Sequence, residues 1–211
     1  MRVSHAELNR CEASPESWVR NRLKSTDAFQ MGMTYDRALR LSIHKFHVTK
    51  DSKIALNYLD AVITRHQKRG RLQNMTRVNL ITRSLTDYIA WYNRSKIVLI
   101  SSDFILRDTT KRFLTLGGKI ARLDLTSGGY RAVLFGATPI GWKKELRFPL
   151  MQGLIATMFM RPANEISVGF QMLDGSGLAI TSYSAKEIQK AVEQFEALGM
   201  KMKRYTSELT A

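Results

Sequence analysis

Two short groups of basic side chains are the residues of this chain whose charge and spacing most clearly suit ligand binding. The first is Arg65-His66-Gln67-Lys68-Arg69-Gly70-Arg71, and no acidic residue occurs between Ala61 and Thr86. The second follows a Pro-Ile-Gly-Trp segment and consists of Lys143, Lys144 and Arg147. Lysine and arginine bind phosphate groups by charge, and arginine adds paired N–H donors. We predict nucleic-acid contacts at Arg65, Lys68, Arg69, Arg71, Lys143, Lys144 and Arg147.

The charge of the whole chain points to the same partner. Its 211 residues include 33 Lys and Arg but 18 Asp and Glu, which gives a formal net charge of +15. Such an excess repels itself in a folded protein and favours a polyanionic partner, of which nucleic acid is the commonest. The expected partner is therefore nucleic acid, DNA in the first place with RNA left open, and no membrane partner is expected.

Cysteine usage and hydropathy exclude several classes of protein. Cys11 is the only cysteine, so neither an internal disulfide nor a thiolate-rich metal centre can form. No stretch of eighteen apolar residues could span a bilayer, and the first residues carry charge where a secretory signal would be apolar. We expect a cytoplasmic or nucleoid-associated protein without a bound cofactor.

The hydrophobic pattern predicts helices first and a sheet afterwards. Residues 1–94 are mainly helical, with apolar side chains at helical spacing on both sides of the basic loop at 65–71. Residues 95–211 form the sheet core, with strands at 96–100, 102–106, 119–125, 130–135, 166–173 and 178–183. A capping box at Ser184 begins the last helix. We expect one domain over 1–211 of α/β (α+β) class, in which helices flank a mixed sheet.

Four motifs follow one another along the chain: Ser4 to Asn9 with Ser14 to Trp18, Gly32 to Leu39, the pair Gly118 to Asp124 and Tyr130 to Thr138, and Leu150 to Ala156. In this order they resemble the RecB/Cas4-like (AddB-type) branch of the PD-(D/E)XK nuclease superfamily. In that family they are an opening helix with a Cys-Pro step, a Gly-x-x-x-His-x-x-Leu helix, the catalytic hairpin and a Gln-x-x-x-Tyr helix. The resemblance implies a restriction-endonuclease-like core. It also implies work with a nuclease, helicase or recombination partner, in a phage or other mobile element.

The matching positions lack the residues that perform catalysis in that family. Two carboxylates and a lysine there hold and assist a divalent metal, whereas this chain has Ala121, Phe135 and Ala137. Asp36 stands at the family's histidine position and Ala156 at its tyrosine position. Hydrocarbon groups cannot ligate Mg²⁺ or Mn²⁺, which require oxygen ligands. The resemblance therefore implies a catalytically inactive member that holds nucleic acid on a basic face or assembles with a partner.

Two other functions stay open on the sequence. A metal-dependent exonuclease or endonuclease would need ligands relocated to Asp36, Asp124 or Glu145 and would bind Mg²⁺ or Mn²⁺. Alternation along a strand turns Asp124 away from the face of Ala121, which weighs against this function. A protein-interaction or structural component would instead use Phe135 as an apolar docking patch. The basic run at 65–71 also fits a plain solvated loop between two helices.

Overall fold

The computed structural model describes residues 1–24, 33–110, 112–136, 140–173 and 177–210. Six strands lie in these residues: β1 (Arg2–Ser4), β2 (Val98–Arg107), β3 (Thr115–Thr126), β4 (Gly129–Phe135), β5 (Ile166–Gln171) and β6 (Leu178–Thr181). They also contain seven α-helices: α1 (Leu8–Ala13), α2 (Pro15–Lys24), α3 (Tyr35–Thr49), α4 (Ser52–Gln67), α5 (Met75–Arg94), α6 (Arg147–Phe159) and α7 (Ala185–Thr210). No described helix is long and apolar enough to cross a membrane.

All six strands join one mixed sheet, in which β3 pairs with three neighbours. One edge of β3 pairs antiparallel with β2 over residues 117–125. The other edge pairs antiparallel with β4 over residues 122–126 and parallel with β1 over residues 115–117. Beyond β4, β5 runs parallel to it, and β6 pairs antiparallel with β5. The expected α/β class, with a mixed sheet flanked by helices, is confirmed.

Two hydrophobic cores lie on opposite faces of this sheet. The sheet core contains buried side chains of α1, α6, α7 and the strands, such as Leu8, Phe148 and Phe195. The helical core is formed by α3, α4 and α5. Alternation along β4 separates the two, because Ala132 and Leu134 belong to the sheet core while Phe135 packs against the helical core.

Strand β2 is continuous, although the sequence predicted two strands with a break near residue 101. The pairing with β3 shifts between Leu99 and Ser101, and Asp103 adopts a left-handed φ of +57°. On one side of Asp103, Ser102 Oγ lies 2.7 Å from His44 Nδ1 of α3. On the other side, the ring of Phe104 contacts the ring of Phe159 in α6. The irregular backbone thus redirects the strand's side chains from α3 to α6, and the period-two pattern is lost there.

The C-terminal half follows the sequence prediction closely at its hairpins and last helix. Ser184 caps α7 as a capping box, since its Oγ and backbone N–H both bond the Glu187 carboxylate at 2.7 Å. Hydrogen bonding to Ser184 lowers the pKa of Glu187. The predicted turn between β5 and β6 falls partly on residues 174–176, outside the described residues.

Gly169 marks the closest approach of β5 and β6. A Cβ at this position would lie 2.0 Å from the backbone oxygen of Ala179 and 2.8 Å from the Cα of Ile180. Both atoms belong to a paired strand, so neither moves without disturbing the ladder. Gly169→Ala is therefore expected to lower the free energy of unfolding by about 3 kcal/mol.

Gly128→Ala is the matched control, because a Cβ there would meet only Thr126 Oγ1, at 4.0 Å. It is expected to change the free energy of unfolding by less than about 0.5 kcal/mol. Urea titrations followed by circular dichroism compare the two variants with the parent. Equal stability of the two variants would contradict the close packing of β5 on β6.

Candidate nucleic-acid interface and the hairpin positions

The basic loop between α4 and α5 has a fixed backbone. Leu72 adopts a left-handed φ of +54° and buries its side chain in the helical core, where it is 6% exposed. Gln67 Nε2 donates a hydrogen bond to the Leu72 oxygen at 3.4 Å. The backbone oxygen of His66 accepts from the N–H groups of both Arg69 and Arg71. An apolar anchor and these hydrogen bonds hold the loop in one conformation.

Four cations project from this loop into solvent, and we call them the loop cations: Arg65, Lys68, Arg69 and Arg71. None of them forms an ion pair with a carboxylate of the described residues. Their positive charges also affect the pKa of His66. Burial, and then the guanidinium groups of Arg69, Arg71 and Arg65, lower the pKa of His66. The loop is thus a dense and uncompensated positive surface.

Arg77 is a further exposed cation beside the loop, and the sequence prediction missed it. Asn74 caps α5, since its Oδ1 accepts from the Arg77 N–H at 3.0 Å, and its own N–H donates to Tyr35 Oη at 2.8 Å. The Arg77 guanidinium lies 5.7 Å from the centre of the Tyr35 ring. The sequence signal was a capping Asn after the basic run, which places Arg77 in the first turn of the next helix.

The second basic group divides into exposed and buried members. Lys143 and Lys144 are exposed on a single 3-10 turn, and the Lys143 oxygen accepts from Tyr183 Oη at 2.7 Å. Arg147 is different, because its side chain is only 13% exposed and its Nε lies 2.6 Å from Glu145 Oε2. Its guanidinium also lies 4.9 Å from the ring of Phe148. Arg147 is therefore ion-paired within the protein, and its contact with nucleic acid stays a prediction.

The positions that match the nuclease hairpin are occupied by packing side chains. Phe135 ends β4, with its ring edge-to-face on Tyr88 at 5.4 Å. Ala121 is half-buried in β3, one residue before the pairing of Arg122 with Val133 that limits the β3–β4 ladder. The remaining positions are Ala156, which is buried in the sheet core, Asp36, which is exposed in the first turn of α3, and Ala137, which lies outside the described residues. Phe135 and Ala156 thus belong to different cores.

Next to these positions lies a buried polar network that the sequence prediction missed. Arg122 and Asp124 are two residues apart and share one face of β3, and both side chains are 0% exposed. Arg122 Nε donates to both oxygens of Asp124, at 2.8 and 3.1 Å. Arg131 Nε on β4 donates to Asp124 Oδ2 at 3.3 Å. Asp124 therefore points to the helical side of the sheet, as strand alternation predicted, and two guanidinium groups neutralise it.

The network continues into the helices through Tyr88. Arg122 Nη1 donates to Tyr88 Oη at 2.7 Å, and His47 Nε2 lies 2.6 Å from the same oxygen. A guanidinium only donates, so Tyr88 Oη is the acceptor of the bond from Arg122. Burial, reinforced by the Arg122 charge, lowers the pKa of His47 to about 3. The indole of Trp91 lies 5.1 Å from the Arg122 guanidinium and completes the enclosure.

Of the carboxylates named as relocated metal ligands, Asp124 and Glu145 are engaged by guanidinium groups, whereas Asp36 is exposed in the first turn of α3. A cation bound at Asp124 would lie beside the guanidinium groups of Arg122 and Arg131, and Glu145 is paired with Arg147. Within the described ranges, no three His, Cys, Asp or Glu side chains are placed to hold a metal ion. The donor set next to the hairpin is thus suited to ion pairing between side chains.

Comparisons with known proteins do not place the chain in a family. No family model and no curated protein sequence matches it. A solved structure described as "Crystal structure of SSO0001" resembles it at a TM-score of 0.31 and 6% sequence identity. That match covers 89% of this chain and 85% of the other. A likeness of this degree carries no inference about fold or function.

Asp124→Asn is expected to destabilise the protein strongly. The change keeps the shape of the side chain but leaves the buried Arg122 charge without its counter-charge, at a cost of about 3–5 kcal/mol. Asp103→Asn is the control, because Asp103 pairs with Lys119 at 2.9 Å at the surface. That change is expected to cost less than about 1 kcal/mol. Chemical denaturation of both variants checks the difference, and similar losses would contradict the network.

His47 is expected to make the protein less stable in acid. Its pKa is about 3 in the folded protein, against 6.5 for an unperturbed histidine, so between these values the unfolded chain binds more protons. The free energy of unfolding should therefore fall as pH decreases from 6.5 toward 3, by about 1 kcal/mol per pH unit. His47→Gln retains a group that can bond Tyr88 and removes the titration. Denaturation between about pH 7 and about pH 4 should show a shallower dependence of the free energy of unfolding on pH for this variant. An unchanged slope would rule out His47 as its source.

Proposed function

We propose that this protein binds nucleic acid, DNA in the first place, through the loop cations. One observation carries the proposal: four exposed cations within seven residues stand on a fixed backbone without carboxylate partners among the described residues. Clustered positive charge of this kind is stabilised by a polyanion, and neutralising phosphates releases condensed counterions. Contacts to phosphate carry little sequence information, so binding is expected to be sequence-independent.

Lys143 and Lys144 form a second contact in this proposal. Both side chains are exposed, and the bond from Tyr183 to the Lys143 oxygen supports their short helical turn. Arg77 extends the first contact along α5. Like the loop cations, Lys143, Lys144 and Arg77 are exposed and lie on backbone that hydrogen bonds hold in place.

We further propose that the chain is an inactive relative of the RecB/Cas4-like PD-(D/E)XK nucleases. The relationship rests on the order of the four sequence motifs, and the residues at the hairpin support inactivity, since Ala121 and Phe135 offer no metal ligand and Asp124 is neutralised by Arg122 and Arg131. Such a protein would hold nucleic acid and leave cleavage to a nuclease, helicase or recombination partner. The competing docking function is less well supported, because the Phe135 ring already packs against Tyr88.

The test is reversal of the loop cations in one variant, Arg65→Glu, Lys68→Glu, Arg69→Glu and Arg71→Glu. Affinity for DNA, measured by fluorescence anisotropy at about 0.1 M salt, should fall at least about 100-fold, because each lost phosphate contact removes nearly a tenfold counterion-release gain. The slope of log K against log salt should become shallower by about 3.6, at about 0.9 for each of four contacts.

A control variant changes the charge equally at another surface. It carries Lys186→Glu, Lys190→Glu, Lys201→Glu and Lys203→Glu, all at exposed positions of α7. Its affinity should fall less than about tenfold, through the change in net charge alone. Equal losses in both variants would reject the loop as the binding surface. DNA cleavage with Mg²⁺ or Mn²⁺ would contradict the inactive assignment.

A further inference from the structure

We infer that the loop cations select duplex over single-stranded nucleic acid. This inference rests on the proposed function and names its substrate class. Three features of the molecule carry it: the aromatic rings near the cations are covered, the loop backbone is fixed, and all the remaining attraction is to phosphate charge.

The aromatic rings near both basic groups already pack against other side chains. Arg77 lies against the Tyr35 ring, and the Tyr35 hydroxyl accepts from Asn74. Trp142, next to Lys143, is 6% exposed and packs edge-to-face on Phe148 and Phe170. Proteins that bind single strands combine a basic groove with aromatic rings on which successive bases stack. Beside these cations, Trp142 is therefore buried, and the half-buried Tyr35 ring lies between the helical core and Arg77.

The fixed loop suits a partner with regular geometry. The backbone N–H of Lys68 donates to the Thr64 oxygen, so helical geometry continues past the end of α4. Arg65 and Lys68, three residues apart, are then about 5–6 Å from each other at Cβ. Phosphates of one duplex strand advance by about 3.4 Å each along the axis, so neighbouring cations can neutralise neighbouring phosphates. A flexible single strand would have to be ordered onto the same positions.

Charge density gives the direction of selectivity. A duplex carries one phosphate per about 1.7 Å of axis, twice the density of one strand. Counterion release per contact is also larger, about 0.9 against about 0.7 in the salt slope. Four contacts therefore give a slope of about −3.6 with duplex and about −2.8 with single-stranded DNA.

The experiment compares one DNA duplex with each of its separated strands, titrated with the full chain over a range of salt. We expect the duplex to bind about sixfold more tightly at about 0.1 M salt, with the steeper slope. The loop-reversal variant should lose this preference, and the α7 control variant should keep it. Tyr35→Leu should leave the ratio of the two affinities unchanged, because the Tyr35 ring is covered.

Other results would contradict either the duplex preference or the proposed function. Equal or tighter binding of single strands overturns the duplex inference and leaves the proposed function standing. A selective loss of single-strand binding in Tyr35→Leu overturns it as well, since bases would then stack on that ring. If neither DNA binds the parent protein above the level of the loop-reversal variant, the proposed function fails and the inference falls with it.

Discussion

The buried pair of Arg122 and Asp124 is the constraint on which the arrangement of the two cores depends. Two charges without solvent contact need hydrogen-bond partners, and here the partners of Arg122 Nε and Nη1 come from both sides, while Nη2 has none among the described residues. Arg131 approaches from the sheet, while Tyr88 and Trp91 approach from α5. A helix that slid along the sheet would remove the bond from Arg122 Nη1 to Tyr88 as well. The network therefore fixes one position of the helical core against the sheet.

That fixed docking decides where the loop cations stand. Met75 begins α5 and Tyr88 anchors it to the sheet. At 1.5 Å per residue, the first turn of the helix lies about 20 Å along the axis from this anchor. The basic loop thus projects at the end of the helical core, away from the buried ion pairs. Charges that need partners are buried at one end of α5, and charges left for a ligand are exposed at the other.

Local sequence patterns predicted the features whose causes are local. The capping box at Ser184 and the turn at Gly128 depend on residues within four positions of one another, and the acid-free stretch that begins at Ala61 is read directly. The network could not be predicted in this way, because Tyr88 and Arg122 are separated by 34 residues and meet only through the tertiary fold. The surroundings of Arg147 could not be predicted for a related reason, since composition shows a basic residue but not the rings and carboxylate that enclose it.

Repulsion among the loop cations destabilises the loop, and burial of Leu72 opposes it. Exposed cations a few ångströms apart in water repel one another by about 1 kcal/mol or less per pair, and salt reduces this further. Burial of one leucine side chain contributes about 2 kcal/mol, and the backbone bonds to the His66 oxygen add to it. The anchor and these bonds oppose the repulsion and hold the loop backbone in place before any ligand arrives. A surface ordered in advance loses less conformational entropy on binding, which favours a rigid and densely charged partner over a flexible one.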